Sequence, residues 1–384
     1  MNREENKLMQ NFKWDEPLTP KRTRLQEFWR LFRQNRLAIL GLVIFILFFC
    51  CALVGLALTS GTDPLFDPSL IRLQEKLRPP LSEPNLETLR PEEVPKLGLY
   101  LGRDVFARML QGAWVSLTVG FVAVGISVLI GIFMGGIAGY YGQYHIRGDH
   151  IFATGLFVSG VALIFADLFL PGAILFLFAF ASIYYPRMTK NRSKNKILPA
   201  WADLARFHTL SVDTLIMRIV DIMLCFPSFF LILTVVALLP ASIYNIMIII
   251  GLTSWMGTTR FVRAEFLSLR EQDFVAAVRA LGVSDFRIIF RHIMPNAIAP
   301  VLVSATIGIA SAILTEAGLS FLGFGVPPPH ATWGNILSNG KNFIFDAPWL
   351  TFIPGIAILI VVLSFNLFGE GLRDVLNPKL RERN

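Results

Sequence analysis

Asp273 to Pro295 reads DFVAAVRALGVSDFRIIFRHIMP. The stretch is polar and basic, yet it lies between two uncharged runs, Ile222–Thr259 and Ala297–Thr315, that are long enough to cross a membrane. Phe274, Val275, Ala277, Val278 and Leu281 recur at helical spacing and make one apolar face. Gly282 can take the left-handed conformation that ends a helix. Ser284 can cap a second short helix, with Asp285 favourable in its first turn. Pro295 suits the first turn of the span that follows. A short helix with an apolar face and no membrane to bury it in calls for a protein partner.

Working outward, the chain has 384 residues, of which 54% are hydrophobic and 16% charged, with a mean hydropathy of +0.58. Soluble domains carry about 25% charged residues. Leu37–Thr62, Met109–Ile146 and Leu350–Gly369 are further uncharged runs. Ile222–Thr259 is too long for one span and is broken by Leu239-Pro240-Ala241-Ser242, so it reads as two. Long apolar runs with isolated charges predict helices rather than a barrel.

The net charge of +8 follows topology and is no nucleic-acid signal. With the N-terminus inside, the inferred cytoplasmic segments hold 27 Lys+Arg against 16 Asp+Glu, and the outer segments 8 against 10. This is the positive-inside bias. Lys21, Arg22, Arg24, Arg30, Arg33 and Arg36 precede the first span and set its orientation; membrane lipid is their expected neighbour. Leu37–Leu58 reads as a retained span, not a cleaved signal. Cys50, Cys51 and Cys225 lie in apolar runs without ligand spacing and read as buried, inert thiols.

The expected organisation is a cytoplasmic tail (1–36) with an amphipathic patch at 25–32, a first span (37–59), a Pro-rich extracytoplasmic segment (60–110) and a glycine-rich second span (111–142). Gly125, Gly131, Gly135 and Gly139 would let another helix approach closely. Residues 143–211 read as an inserted helical hairpin, with Ile151–Ala166 and Leu168–Tyr185 as its arms, or as a re-entrant pair. Its basic run, Arg187 to Lys196, belongs inside. A core (212–372) containing the 273–295 loop and a cytoplasmic tail (373–384) complete the chain. Arg218 and Asp221, three apart, can pair on one helix face. Pro227 should kink that helix.

The 273–295 stretch resembles the EAA loop of ABC-importer permeases, in which an EAA triplet, a glycine and a proline keep fixed spacing. Ala276, Ala277 and Val278 occupy the E-A-A positions, and Gly282 and Pro295 the glycine and proline. The chain is similar to the oligopeptide/dipeptide branch elsewhere too. Gly102-Arg103-Asp104-Val105, Met217 to Asp221 followed by Phe226-Pro227, and Thr315-Glu316-Ala317-Gly318-Leu319-Ser320-Phe321-Leu322-Gly323-Phe324-Gly325 fit its patterns, as do Trp333-Gly334-Asn335, Ala347-Pro348-Trp349 and Phe365 to Asp374. It departs at Ala276, where the triplet is acidic, at Leu97–Leu101, which lacks the usual T-D, and in the insertion.

The resemblance implies an all-α integral membrane protein of the type I ABC importer fold, with a six-helix core and an inserted two-helix hairpin, about eight spans in all. It implies half of a peptide path in a bacterial inner membrane, with both termini cytoplasmic. The implied partners are a homologous permease in a heterodimer, two ATP-binding cassette ATPases and an extracytoplasmic substrate-binding protein. ATP and Mg would sit on those ATPases and no cofactor on this chain, which would not be an enzyme. Asp273, Phe274, Ala276, Ala277, Arg279, Ala280, Leu281, Gly282 and Pro295 would couple to the ATPase, with Phe274 and Leu281 as anchors. Glu316, an acid within an apolar span, points to a pathway or gating role or to a structural carboxylate; Pro227 is the other gating candidate.

The sequence has no G-x-x-x-x-G-K-[ST] phosphate loop, no Ser/His/Asp set and no metal-ligand spacing among its five histidines. Nickel chelates, glutathione or another small solute remain alternative cargoes. A secondary transporter would need intramembrane ionisable groups in several spans, and one clear acid is present.

Overall fold

The computed structural model describes residues 24–61, Pro64, Pro68, 105–142, 145–146 and 210–376. The tails, most of the expected 60–110 segment and the expected hairpin with its basic run lie outside the described residues.

The described chain is helical, apart from one two-residue ladder. In order come α1 (Arg24–Gln34), α2 (Arg36–Thr59), α3 (Val105–Tyr140), β1 (His145–Ile146), β2 (Leu210–Ser211), α4 (Val212–Cys225), α5 (Ser228–Leu238), α6 (Ile243–Arg270), α7 (Asp273–Ala280), α8 (Met294–Phe321), α9 (Trp333–Gly340) and α10 (Trp349–Leu376). Among the described residues, Arg36–Thr59, Val105–Tyr140, Asp285–Phe321 and Trp349–Leu376 are long and apolar enough to cross a membrane; the bent pair α4–α5 makes five if counted as one span. The 28-residue α6 is long enough for a span but more polar than these.

Helix α3 is the axis. It starts at Val105, ahead of the expected second span, and its 36 residues run about 54 Å. It packs most extensively on α6, and glycine explains how. A Cβ on Gly131, Gly135 or Gly139 would lie 2.6 Å from Thr258 Cβ, 2.6 Å from the Thr259 carbonyl oxygen or 2.5 Å from Phe266 Cβ. These glycines recur every fourth residue, so they form one row where the backbones touch. Gly125 does not join them: a Cβ there meets nothing within 4 Å. It is off the four-residue row and on the exposed side. Gly251 of α6 takes that place, against Ile126 Cβ at 2.7 Å.

Helix α2 lies between α3 and α10, where Phe45 meets Phe365 at 5.1 Å and Phe121 at 6.3 Å. Asn35 caps α2 by accepting from the Ala38 N–H and donates to Asp374 at 3.1 Å. The amphipathic α1 buries Phe32 against Ala38 and Val375, so it docks on α10 and does not give its whole apolar face to lipid. Cys50 and Cys225 are exposed and Cys51 half-buried, all three free. The expectation of buried thiols is therefore wrong; two of them sit on outward helix faces.

Pro227 does more than kink a helix. Chain direction turns by 80° between α4 and α5. Phe226 is extended (φ −86°, ψ 132°), as a residue before proline prefers. Asp221 does not pair with Arg218 as the spacing suggested. It meets Arg260 of α6 at 2.6 Å, and Arg218 is exposed. Neighbouring Asp213 takes both Nε and Nη2 of Arg263, the latter at 2.6 Å. Helix α6 thus offers two guanidiniums, and an interhelical partner displaces the local one.

Tyr140, the start of α4, the end of α6 and the 273–293 loop share one end of the bundle. Trp333 of α9 meets the beginning of α3 at the other end, its Nε1 donating to the Met109 carbonyl at 3.2 Å. The residues that flank the expected insertion, 145–146 and 210–211, meet at the Tyr140 end. His145 pairs with Ser211 and Ile146 with Leu210, antiparallel.

Candidate functional site: the 273–293 surface

Helix α7 turns one face inward. Val275 is fully buried, and Phe274 and Val278 are half-buried against Val262, Phe266 and Leu269 of α6 and Tyr140 of α3. Asp273, Ala276, Ala277, Arg279 and Ala280 are exposed on the other side, and Leu281 beyond them is 81% exposed. The five-residue apolar face read from the spacing is therefore divided. Phe274 belongs to the protein's own core. Leu281 and Ala277 belong to the surface, because Gly282 ends the helix before Leu281 can follow Val278 inward.

Gly282 has φ +74°, as a helix stop requires. Its N–H donates to the Arg279 carbonyl at 3.0 Å, and the Val283 N–H reaches back to the Val278 carbonyl at 3.2 Å. Ser284 does not cap with its side chain; its carbonyl instead accepts from the Ile288 N–H at 3.0 Å. A single turn (Asp285–Arg287) leads into a π-helical segment, Ile288–Ile293. Wider winding puts residues five apart in line. Ile288, Ile289 and Ile293 are accordingly all buried in the same cluster. Phe286, 71% exposed, and Phe290 stay outside with ring centroids 4.5 Å apart. Pro295 lies in the first turn of α8, and Asn296 donates to the His292 carbonyl at 2.7 Å.

Polar contacts at Tyr140 join this loop to α3. The Tyr140 hydroxyl donates to Asp285 Oδ1 at 2.6 Å, and the Arg279 guanidinium lies 5.9 Å over the Tyr140 ring. Arg270 donates to the carbonyls of Gly139 and Tyr140, at 3.3 and 3.2 Å, closing the end of α3. Sequence reasoning missed Tyr140, Phe286 and Phe290. The four-residue spacing of the two phenylalanines in a basic loop was the available signal; the Tyr140–Asp285 pair, far apart in sequence, had none.

Glu316 occupies the other end. It is fully buried where α3, α8 and α9 meet. Ser320 donates to Oε1 at 2.6 Å and Ser116 to Oε2 at 3.3 Å. The Trp333 N–H donates to Ser116 Oγ at 3.4 Å, and Thr332 lies 3.4 Å from Ser320 Oγ. Nearby, a cavity of about 570 Å³ is lined in part by Arg108, Ser320, His330, Asn335 and Asn339. Among the described residues no three His, Cys, Asp or Glu side chains are grouped to hold a metal.

Residues 198–382 match the family described as "Binding-protein-dependent transport system inner membrane component", and residues 23–80 match the "N-terminal TM domain of oligopeptide transport permease C". The dipeptide transport system permease protein DppC of Alkalihalophilus pseudofirmus is 34% identical, over 93% of this chain and 90% of that protein. DppC of Haemophilus influenzae is 33% identical, over 96% and 99%. The oligopeptide transport system permease protein OppC of Bacillus subtilis is 30% identical, over 91% and 88%. A solved structure of the MetNI methionine ABC transporter in inward-facing conformations covers 72% of this chain and 99% of its own, with 17% identity and a TM-score of 0.41. That likeness is too loose to argue from.

Proposed function

This chain belongs to the family of binding-protein-dependent transport system inner membrane components, in its dipeptide/oligopeptide permease branch, and on that premise we propose how it works as the permease subunit of a peptide ABC importer. It is an all-α, multi-pass inner-membrane protein. Permease subunits of this kind are not themselves enzymes. The observation that carries the functional reading is resemblance along nearly the whole chain to permeases named for dipeptides and oligopeptides.

In this reading the chain supplies half of the path, and a related permease supplies the other half. An extracytoplasmic binding protein delivers peptide at the α9 end. Two ATPases, carrying ATP and Mg, dock at the 273–293 end, which is cytoplasmic together with both termini. Leu281, Phe286 and Phe290 provide the exposed apolar contact, with Ala277, Ala280, Arg279 and Asp273 around it. Phe274 and Val275 hold α7 to the body, and Gly282 and Pro295 fix the loop's shape. Pro227 is the hinge of the α4–α5 bend, and Glu316 braces the opposite end instead of meeting cargo. Its full burial and its two serine donors support that role.

The test is reconstitution. Purified with a partner permease, two ATPases and a binding protein, the chain should drive ATP-dependent uptake of short peptides into vesicles. Uptake by this chain alone, or by the assembly without ATP, would overturn the reading.

A further inference from the structure

We propose that the Tyr140–Asp285 hydrogen bond is the tie through which displacement of the 273–293 loop is passed to α3. Tyr140 would then be a positioning residue for transport. The inference rests on the docking role given to that loop above.

The loop is attached to the body in three ways. Its backbone continues α6 and leads into α8. Its buried face, Val275 with Ile288, Ile289 and Ile293, lies against Val262, Phe266 and Leu269. Such apolar contact is non-directional, so the loop could swivel on it with little change in contact. The third attachment is directional. It is made at Tyr140, whose hydroxyl donates to Asp285 at 2.6 Å and whose ring also lies under the Arg279 guanidinium.

Its position matters more than its strength. Asp285 immediately precedes Phe286, and Leu281 is four residues before it, so the tie lies under the exposed face. Tyr140 is 4% exposed, with its ring fixed edge-on to Tyr141 at 4.9 Å. Arg270 holds the backbone on which Tyr140 stands. A push on Leu281 or Phe286 therefore meets a fixed point on the last residue of α3. Without the hydroxyl, the same push can be spent turning the loop about Glu271–Gln272 and the π-helical segment. With it, the push reaches α3 and α6, which the glycine row holds together. Helix α3 then carries the motion to Ser116, beside Glu316 at the far end.

The experiment uses the reconstituted assembly and reads peptide taken up per ATP hydrolysed, with ATPase copurification and melting temperature measured alongside. Tyr140→Phe keeps the ring and removes the bond. Asp285→Ala removes the acceptor, whereas Asp285→Asn keeps a carbonyl at that position. Tyr140→Phe and Asp285→Ala should each lower uptake per ATP roughly three- to ten-fold with assembly intact. Asp285→Asn should stay near the native ratio, and the double variant should be no worse than either single one. A native ratio in Tyr140→Phe overturns the proposal. So does Asp285→Asn as harmful as Asp285→Ala, which would make the charge the important part. So does a fall in uptake matched by lost ATPase binding, which would make the bond a shaper of the docking face. Failure of the underlying reading looks different: Leu281→Asp would still copurify with the ATPase.

Discussion

The two ends of α3 are held by opposite kinds of contact. At the Glu316 end, a carboxylate, two serines, a threonine and a backbone N–H close on one another out of reach of water. At the Tyr140 end, apolar side chains seat the 273–293 loop, Asp285 and Arg279 tie it to α3 at one tyrosine, and Leu281, Phe286 and Phe290 are left uncovered. Buried polar networks are unforgiving, because any missing partner leaves a group unsatisfied. An apolar seat tied at one tyrosine allows movement and leaves surface for another protein. On the proposed reading, the closed end is the one that stays and the open end the one that is acted upon.

The largest expected effect breaks the open end. Leu281→Asp puts a charge at the centre of the proposed contact while touching little of this chain. A central apolar anchor is worth about 2 kcal/mol or more, so ATPase affinity should fall roughly 30-fold or more with membrane insertion unchanged. Phe274→Asp separates the two halves of α7. Its side chain is packed on this chain's own core, so that variant should lower the melting temperature as well as binding. Equal melting temperatures for the two variants, measured in detergent, would erase the distinction between inward and outward faces.

The closed end predicts a different response. Glu316→Leu leaves Ser116 and Ser320 without their acceptor and should cost about 1–3 kcal/mol of stability. Glu316→Gln retains an acceptor and should cost less. Both should leave ATPase copurification unchanged, because the proposed docking face is at the other end of α3. If Glu316→Leu melts like the native protein but blocks uptake, Glu316 works in the pathway and the brace is wrong.

Between the ends, the glycine row can be tested by its own exception. Gly135→Ala would place a methyl 2.6 Å from the Thr259 carbonyl oxygen, and Gly125→Ala would place one in open space. The first should lose about 1 kcal/mol through overpacking. The second should be neutral or slightly stabilising, since alanine favours a helix. Similar melting temperatures would mean that α3 and α6 do not move as one body.

Much of this was legible in the sequence because it is local. Gly282 announces a helix stop, Pro227 a break and Leu239-Pro240-Ala241-Ser242 a turn, each through the residue's own backbone preference. Long uncharged runs announce α2, α3, α8 and α10 through the cost of placing charge in lipid. What failed was long-range. Asp221 chose Arg260 over Arg218, and Gly125 fell on the wrong side of α3, because both depend on where α6 lies. The α7 face was read as wholly outward because its spacing marks an apolar stripe without saying which neighbour covers it. Tyr140 and Asp285 are 145 positions apart, and neither bears any local mark of the other.

The smallest expected effect concerns what the comparison leaves out. Within the expected insertion, residues 143–211, Ile146 and Leu210 are paired across an antiparallel ladder. A two-residue turn suffices to close such a pair, and Asn-Gly is the favoured choice. Joining Ile146 to Leu210 through Asn-Gly should therefore leave Asp213 on Arg263 and Asp221 on Arg260, with the Tyr140 end undisturbed. It also keeps parity, because the segment leaves and returns at the same end of the bundle. We expect the shortened chain to insert, to copurify with its ATPase and to support measurable uptake. Any loss should appear as lower yield or lower stability in lipid, not as altered uptake per ATP. If the shortened chain assembles normally but uncouples as Tyr140→Phe is expected to, then the insertion shares the work of the Tyr140 end. That end would then be held by more than one tie.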